Sequence, residues 1–180
     1  MLRLTVPPIE LWDSVREEFI YTKEHTLQLE HSLVSVSKWE SKWCKPFLGK
    51  EGKTREETLD YIKCMTLTQN VDPMVYNYLR DEQFKQVKDY INASMTATWF
   101  REEKNVRPNR EQVTSELIYY WMVAYNIPFE CQKWHLNRLL TLIRICNVKN
   151  QQPKKTPKKD MLRERSALNK ARRQQLGSKG

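Results

Sequence analysis

The sequence predicts a mainly α fold, α+β only through a small N-terminal β hairpin, in which a compact helical domain is followed by a basic C-terminal tail. Three observations predict it. Apolar residues recur at helical spacing over most of the stretch from Ser32 to Cys146. Helix-start signals stand before several of those stretches: Thr54 with Glu57, Asp72 with Pro73, and Thr114 or Ser115. Strand-like alternation is strongest in the first thirty residues. With 180 residues, 39% of them hydrophobic, and six Trp, eight Tyr and five Phe, the chain can bury one principal core despite a mean hydropathy of -0.76. The expected organisation is 1–30 as strands packed on the body, 31–148 as the helical core domain and 149–180 as a basic linker and tail.

Leu2-Arg3-Leu4-Thr5-Val6 alternates and then meets Pro7-Pro8, which predicts a short strand ended by a rigid turn. Phe19-Ile20-Tyr21-Thr22 and Thr26-Leu27-Gln28-Leu29 flank the polar Lys23-Glu24-His25 and read as a small hairpin. From Ser32, the spacing of Leu33, Val36, Trp39 or Glu40, and Trp43 predicts a helix ending before Pro46, although Val34 and Val36 would also suit a strand.

Thr54 and Glu57 form a capping-box pair, in which each side chain satisfies a backbone donor at the start of a helix running from Arg55 to about Leu67. Asp72-Pro73 sets an N-cap before a proline whose missing N–H costs nothing at the first helical position. Phe84, Val87 and Ile91 mark a further amphipathic helix. Residues 95–100 read as an extended piece, and a polar loop through Asn109 follows.

Thr114 or Ser115 caps a helix carrying Leu117, Ile118, Trp121, Met122 and Tyr125, and Asn126-Ile127-Pro128 interrupts it. Beyond that corner Phe129, Trp134, Leu136, Leu139, Leu140 and Ile143 crowd a second helix, so both its faces are expected to be covered. This helical pair is the expected centre of the core. It also carries more apolar surface than one domain readily hides, which leaves some for a partner helix.

After Val148 the composition changes. Gln151-Gln152-Pro153 and Pro157 read as a linker, and Asp160 as the cap of a basic helix-prone segment that reaches Leu176 and stops at Gly177. Its apolar stripe is thin, so it is expected to order only on contact. Ten of the thirty-one basic residues, but only two of the twenty-two acidic ones, fall from Lys154 onward, giving this stretch +8 of the total +9. The near-neutral body should therefore recognise apolar surface and the cationic tail an acidic one.

The chemistry of a catalyst is not visible in the chain. Gly49 and Gly52 lack phosphate-loop spacing, no nucleophile elbow is present, and His25, His31 and His135 have no signature that ties them to a nucleophile. Glu17-Glu18, Glu56-Glu57 and Glu102-Glu103 are adjacent carboxylates, which usually form a solvated face. The expectation is a protein with no catalytic site, no metal and no cofactor. Cys44, Cys64, Cys131 and Cys146 are widely spaced and read as reduced thiols. Cys131 and His135 stand four apart and would share a helix face, but no second such pair joins them. No run reaches the roughly 20 apolar residues of a membrane span, so no membrane partner is expected.

At Ser37-Lys38-Trp39-Glu40-Ser41-Lys42-Trp43, at Tyr119-Tyr120-Trp121-Met122, and at Ile127-Pro128-Phe129-Glu130 with Lys133-Trp134-His135-Leu136-Asn137-Arg138-Leu139-Leu140, the chain resembles tail assembly chaperones of long-tailed bacteriophages. The likeness runs from about Leu29 to the basic finish Leu168-Asn169-Lys170-Ala171-Arg172-Arg173. It implies a non-enzymatic role in the host cytoplasm, outside the mature virion: keeping the tape-measure protein soluble and helping tail-tube subunits polymerise around it. The family commonly has a frameshifted extension, which nothing in this sequence marks. Several members carry acidic C-terminal regions, from which this basic tail departs.

Under that reading Trp39, Trp43, Trp121, Trp134 and Leu139 would line or support a groove for an apolar helix, because rigid aromatics bury area at low entropic cost. Each of them would equally suit a core. Lys158, Arg163, Arg165, Arg172 and Arg173 would dock on an acidic partner or on nucleic acid, or simply solubilise the tail. A homo-oligomer is compatible with the same apolar surplus. Two other readings stand beside the chaperone: a nucleic-acid-binding accessory protein using its tail, and a minor structural protein between head and tail.

Overall fold

The computed structural model describes residues 1–8, 10–13, 17–21, 23–49, 51–100, 112–150 and 158–177. The polar loop expected through Asn109 and the linker of residues 151–157 lie outside them. Two units are present, Met1–Cys146 and Asn147–Gly180. The fold is mainly α with a small antiparallel β element at the N-terminus.

Four short strands, β1 (Leu2–Val6), β2 (Glu10–Asp13), β3 (Glu18–Tyr21) and β4 (His25–Leu29), open the first unit. β1 pairs with β4 and β2 with β3, both antiparallel, and Leu2 opposite Leu29 keeps the same register as Glu10 opposite Tyr21. The strands are two stretches of one long hairpin. This corrects the expected hairpin between residues 19–22 and 26–29: residues 19–21 and 26–29 instead lie along one arm. The break falls at Pro7-Pro8, where two donors are missing from the ladder, opposite the polar Lys23-Glu24. Polarity marks a ladder interruption as readily as it marks a turn. Leu4, Val6, Leu27 and Leu29 put their side chains into the core, while Arg3, Thr5 and Gln28 alternate outward.

Helix α1 (Leu33–Trp43) follows directly and is started by Ser32 and Ser35, whose hydroxyls accept each other's backbone N–H groups. Cys44, in the left-handed region at φ 51°, ends it. Helix α2 (Arg55–Met65) carries the predicted capping box, with Thr54 Oγ1 accepting from Glu57 N and Glu57 Oε2 accepting from Thr54 N. Its C-terminal end adds to the hairpin edge, where Leu67 N–H donates to Gln28 C=O and Glu30 N–H to Met65 C=O.

Asp72 caps a 3-10 helix at Pro73–Tyr78, and α3 (Asp81–Asn92) packs on β1. Residues 95–100 pair with no strand, and Met95 takes a left-handed φ of 50°. Thr114 caps α4 (Ser115–Ala124), and a 3-10 helix at Phe129–Lys133 leads to α5 (Leu136–Asn150). Phe129 and Trp134 therefore precede the last helix of the body rather than belonging to it, because Pro128 and the cap at Trp134 hold a tight 3-10 turn between two corners.

The core centres on α1, which packs against α2, α4 and the 3-10 helix at Phe129–Lys133. The pair formed by α4 and α5 is not its centre, contrary to expectation. Nor is α5 covered on both faces: Leu136, Leu139 and Ile143 are buried, while Leu140, Leu142 and Cys146 are half-buried. In the second unit α6 (Lys158–Leu176) is one continuous helix ended by Gly177 at φ 61°. It begins two residues before Asp160, so Asp160 lies in its first turn and is not the cap. All four cysteines are free thiols, and among the described residues no helix is long and apolar enough to cross a membrane.

Candidate binding surface

The five apolar residues singled out in the sequence do not share one surface. Trp39 and Leu139 are core, 1% and 0% exposed, so they can support a surface but not touch a partner. Trp39 is held by its indole N–H, which donates to Glu57 C=O at 2.9 Å. Trp43 stacks on Trp39 with ring centres 6.1 Å apart and is half-buried. Its indole N–H donates to Asp60 Oδ2 at 2.9 Å, and Lys42 pairs with the same carboxylate. Trp121 and Trp134 are half-buried.

Exposed large apolar side chains are spread over the described residues, Trp99 being 81% exposed, and two of them stand on α4. From Leu117 to Tyr125 this helix holds no charged residue, yet within that run only Ile118 and Met122 are buried. Tyr120 is 65% exposed, Val123 60%, and Phe129, just across the turn, 54%. That turn is fixed by Ile127 N–H donating to Met122 C=O at 2.8 Å. A hydroxyl bond from Tyr119 to Gln132 Oε1, 2.9 Å long, ties α4 to the 3-10 helix, so the three exposed side chains stand on a braced scaffold. They were not among the residues singled out. An apolar run longer than one face can bury was the available signal, but the sequence does not say which face is left over.

A second feature is a cleft of about 370 Å³ where residues 95–98 face α5. Trp134, Leu142 and Ile145 supply its apolar lining, and the Arg138 guanidinium lies 4.3 Å from the Trp134 ring centre. Asn137 braces it by donating through Nδ2 to the carbonyls of Ile91 and Ala93 at 2.9 and 2.8 Å. Trp134 thus lines this cleft, and Trp43 lines another of about 450 Å³ with Leu59, Asp60 and Lys63.

The main buried cluster of titratable groups is structural. His31 Nδ1 bonds the Tyr61 hydroxyl, and the His31 and His135 rings meet edge to face at 5.1 Å. Burial pushes the His31 pKa down to about 3, helped by His135 and then Lys53. His135 is lowered too, again chiefly by burial. Its Nδ1 accepts from Asn137 N–H and its Nε2 donates to Tyr90 C=O at 3.0 Å, which occupies both ring nitrogens. Cys131 lies in the 3-10 helix and His135 just ahead of α5, not on one helix face. Among the described residues no group of three or more His, Cys, Asp or Glu is placed to hold a metal ion.

In α6 Arg163, Arg165, Arg172 and Arg173 are all exposed; the helix includes Lys158, whose side chain is outside the described set. Compared with known proteins, the chain matches no family model, no curated protein and no solved structure.

Proposed function

We propose that this chain is a non-enzymatic binding protein that shields apolar helical segments of a longer partner, acting as a phage tail assembly chaperone for a tape-measure protein and assisting tail-tube assembly in the host cytoplasm. One observation carries this reading: α4 keeps a charge-free apolar run yet leaves Tyr120 and Val123, three apart on the helix, exposed, and Phe129 beyond the turn is exposed as well. Exposed apolar side chains on a helix mark candidate interaction sites, and an amphipathic partner helix with anchors at i, i+3 or i+4 and i+7 fits an exposed helix face. The resemblance at the Trp39, Trp121 and Trp134 segments supplies the particular partner.

Coexpression with a tape-measure fragment tests it. The fragment is expected to stay in the soluble fraction with this chain and to precipitate with a Tyr120→Ser/Val123→Ser/Phe129→Ser variant. Equal precipitation with and without the unaltered chain would end the chaperone reading. Finding the chain in purified particles would favour a structural role between head and tail instead.

A further inference from the structure

Helix α6 orders its charges around its axis in a way that composition does not reveal. Seven of its residues are basic and two acidic, and every side chain in it whose surroundings are described is exposed. At about 100° of turn per residue, Lys159, Arg163 and Lys170 fall in one row along the helix. Arg165 and Arg172, seven apart, fall in a second row a little under half a turn away. Lys158, Leu162, Ser166, Asn169, Arg173 and Leu176 lie at positions between the rows. Asp160 and Glu164 share the opposite face with Ala167, Leu168 and Ala171.

We propose that the face between the two rows docks in the major groove of double-stranded DNA, with each row neutralising the phosphates of one groove wall. A helix with its side chains is about 10–12 Å across, which matches a groove about 12 Å wide. Two negative rims on either side of one helix are what a cationic face about half a turn wide, with most of its charge on its two flanks, complements. Ser166 and Asn169 in the gap are groups that hydrogen-bond base edges, and four of the seven cations are arginines, which bond phosphate in bidentate fashion. Asp160 and Glu164 hold helix positions on the face opposite the docking face. An anionic membrane would need an apolar face free of carboxylates, and here Asp160 and Glu164 occupy that face. Duplex RNA presents a deep, narrow major groove that such a helix does not enter. The proposal is independent of the chaperone reading, since it uses no residue of the body.

The test uses the full chain and a fluorescein-labelled mixed-sequence DNA duplex of about 20 base pairs, read by anisotropy. Binding should weaken with salt along a log–log slope of about -4 to -5, the value for about five phosphates at roughly -0.9 each. Arg163→Gln combined with Arg172→Gln, one from each row, should reduce that slope by about 2 and the affinity at low salt at least about tenfold. Asp160→Asn with Glu164→Gln should cause no loss. No duplex binding at low salt would overturn the proposal, and so would unchanged binding by the arginine variant. Equal or tighter binding to duplex RNA, to polyglutamate or to phosphatidylserine vesicles would overturn it in favour of that ligand.

Discussion

Glu40 Oε2 accepts the backbone N–H of Ser115 at 2.7 Å, joining two residues 75 positions apart, while its Oε1 accepts that of Phe47 at 2.7 Å. The carboxylate thereby sits at the N-terminus of α4, where the helix dipole favours negative charge, and it fixes the helix that carries the exposed apolar face.

Replacing Glu40 by Ala strands both N–H groups in a buried site, at a cost of about 1–3 kcal/mol each. The urea midpoint should drop accordingly with the slope of the transition unchanged, and Glu40→Gln, which keeps one carbonyl acceptor, should fall between. A midpoint equal to that of the parent would show that α4 is anchored by other means.

Trp39 and Tyr120 should separate stability from binding. Trp39→Ala removes a side chain that is 1% exposed and should cost about 3–5 kcal/mol. Tyr120→Ser should stay within about 0.5 kcal/mol of the parent while losing the capacity to keep an apolar helix soluble. Thermal melts and the coexpression assay read the two effects; a stable Tyr120 variant that still holds its partner argues against this face.

Acid should weaken the body before most carboxylates protonate. His31 is lowered from 6.5 to about 3 in the fold, so between those values the unfolded chain binds the proton that the folded chain refuses. Stability is therefore full above pH 6.5 and declines as pH falls toward 3. The slope approaches about 1.4 kcal/mol per pH unit, roughly 2 kcal/mol by about pH 5. His31→Gln should be less stable at neutral pH but should flatten this dependence in a melt series across the window. A parent curve that is flat down to about pH 5 would mean that the imidazole takes up a proton inside the fold.

Ending the chain after Asn150 should leave the melting temperature of the body within about a degree, because the first unit, Met1–Cys146, lies wholly before that point. Broadened or lost cooperative unfolding in calorimetry would tie the basic segment to the body's stability.

Thr54→Ala should cost about 1 kcal/mol through loss of the hydroxyl that accepts Glu57 N–H. Hydrogen exchange at the first turn of α2 should quicken, and unchanged protection there would show that packing alone holds the helix start.

Local signals in the sequence determined where helices begin and stop, because caps and breakers act over three or four residues: Thr54 with Glu57, Thr114, Asp72-Pro73 and Gly177 all stand where the residues put them. The mainly α class and the charge split between body and tail were equally legible, since periodicity and composition need no partner. Only the tertiary structure decided which surfaces meet. It placed residues 19–21 and 25–29 on one hairpin arm, made α1 the hub, buried Trp39 and Leu139, and left Tyr120 and Val123 outside. Strand register and the choice of buried helix face depend on contacts between residues far apart in the chain, such as Glu40 with Ser115. An all-round apolar helix such as α4 carries the same hydrophobic pattern whichever face is turned inward.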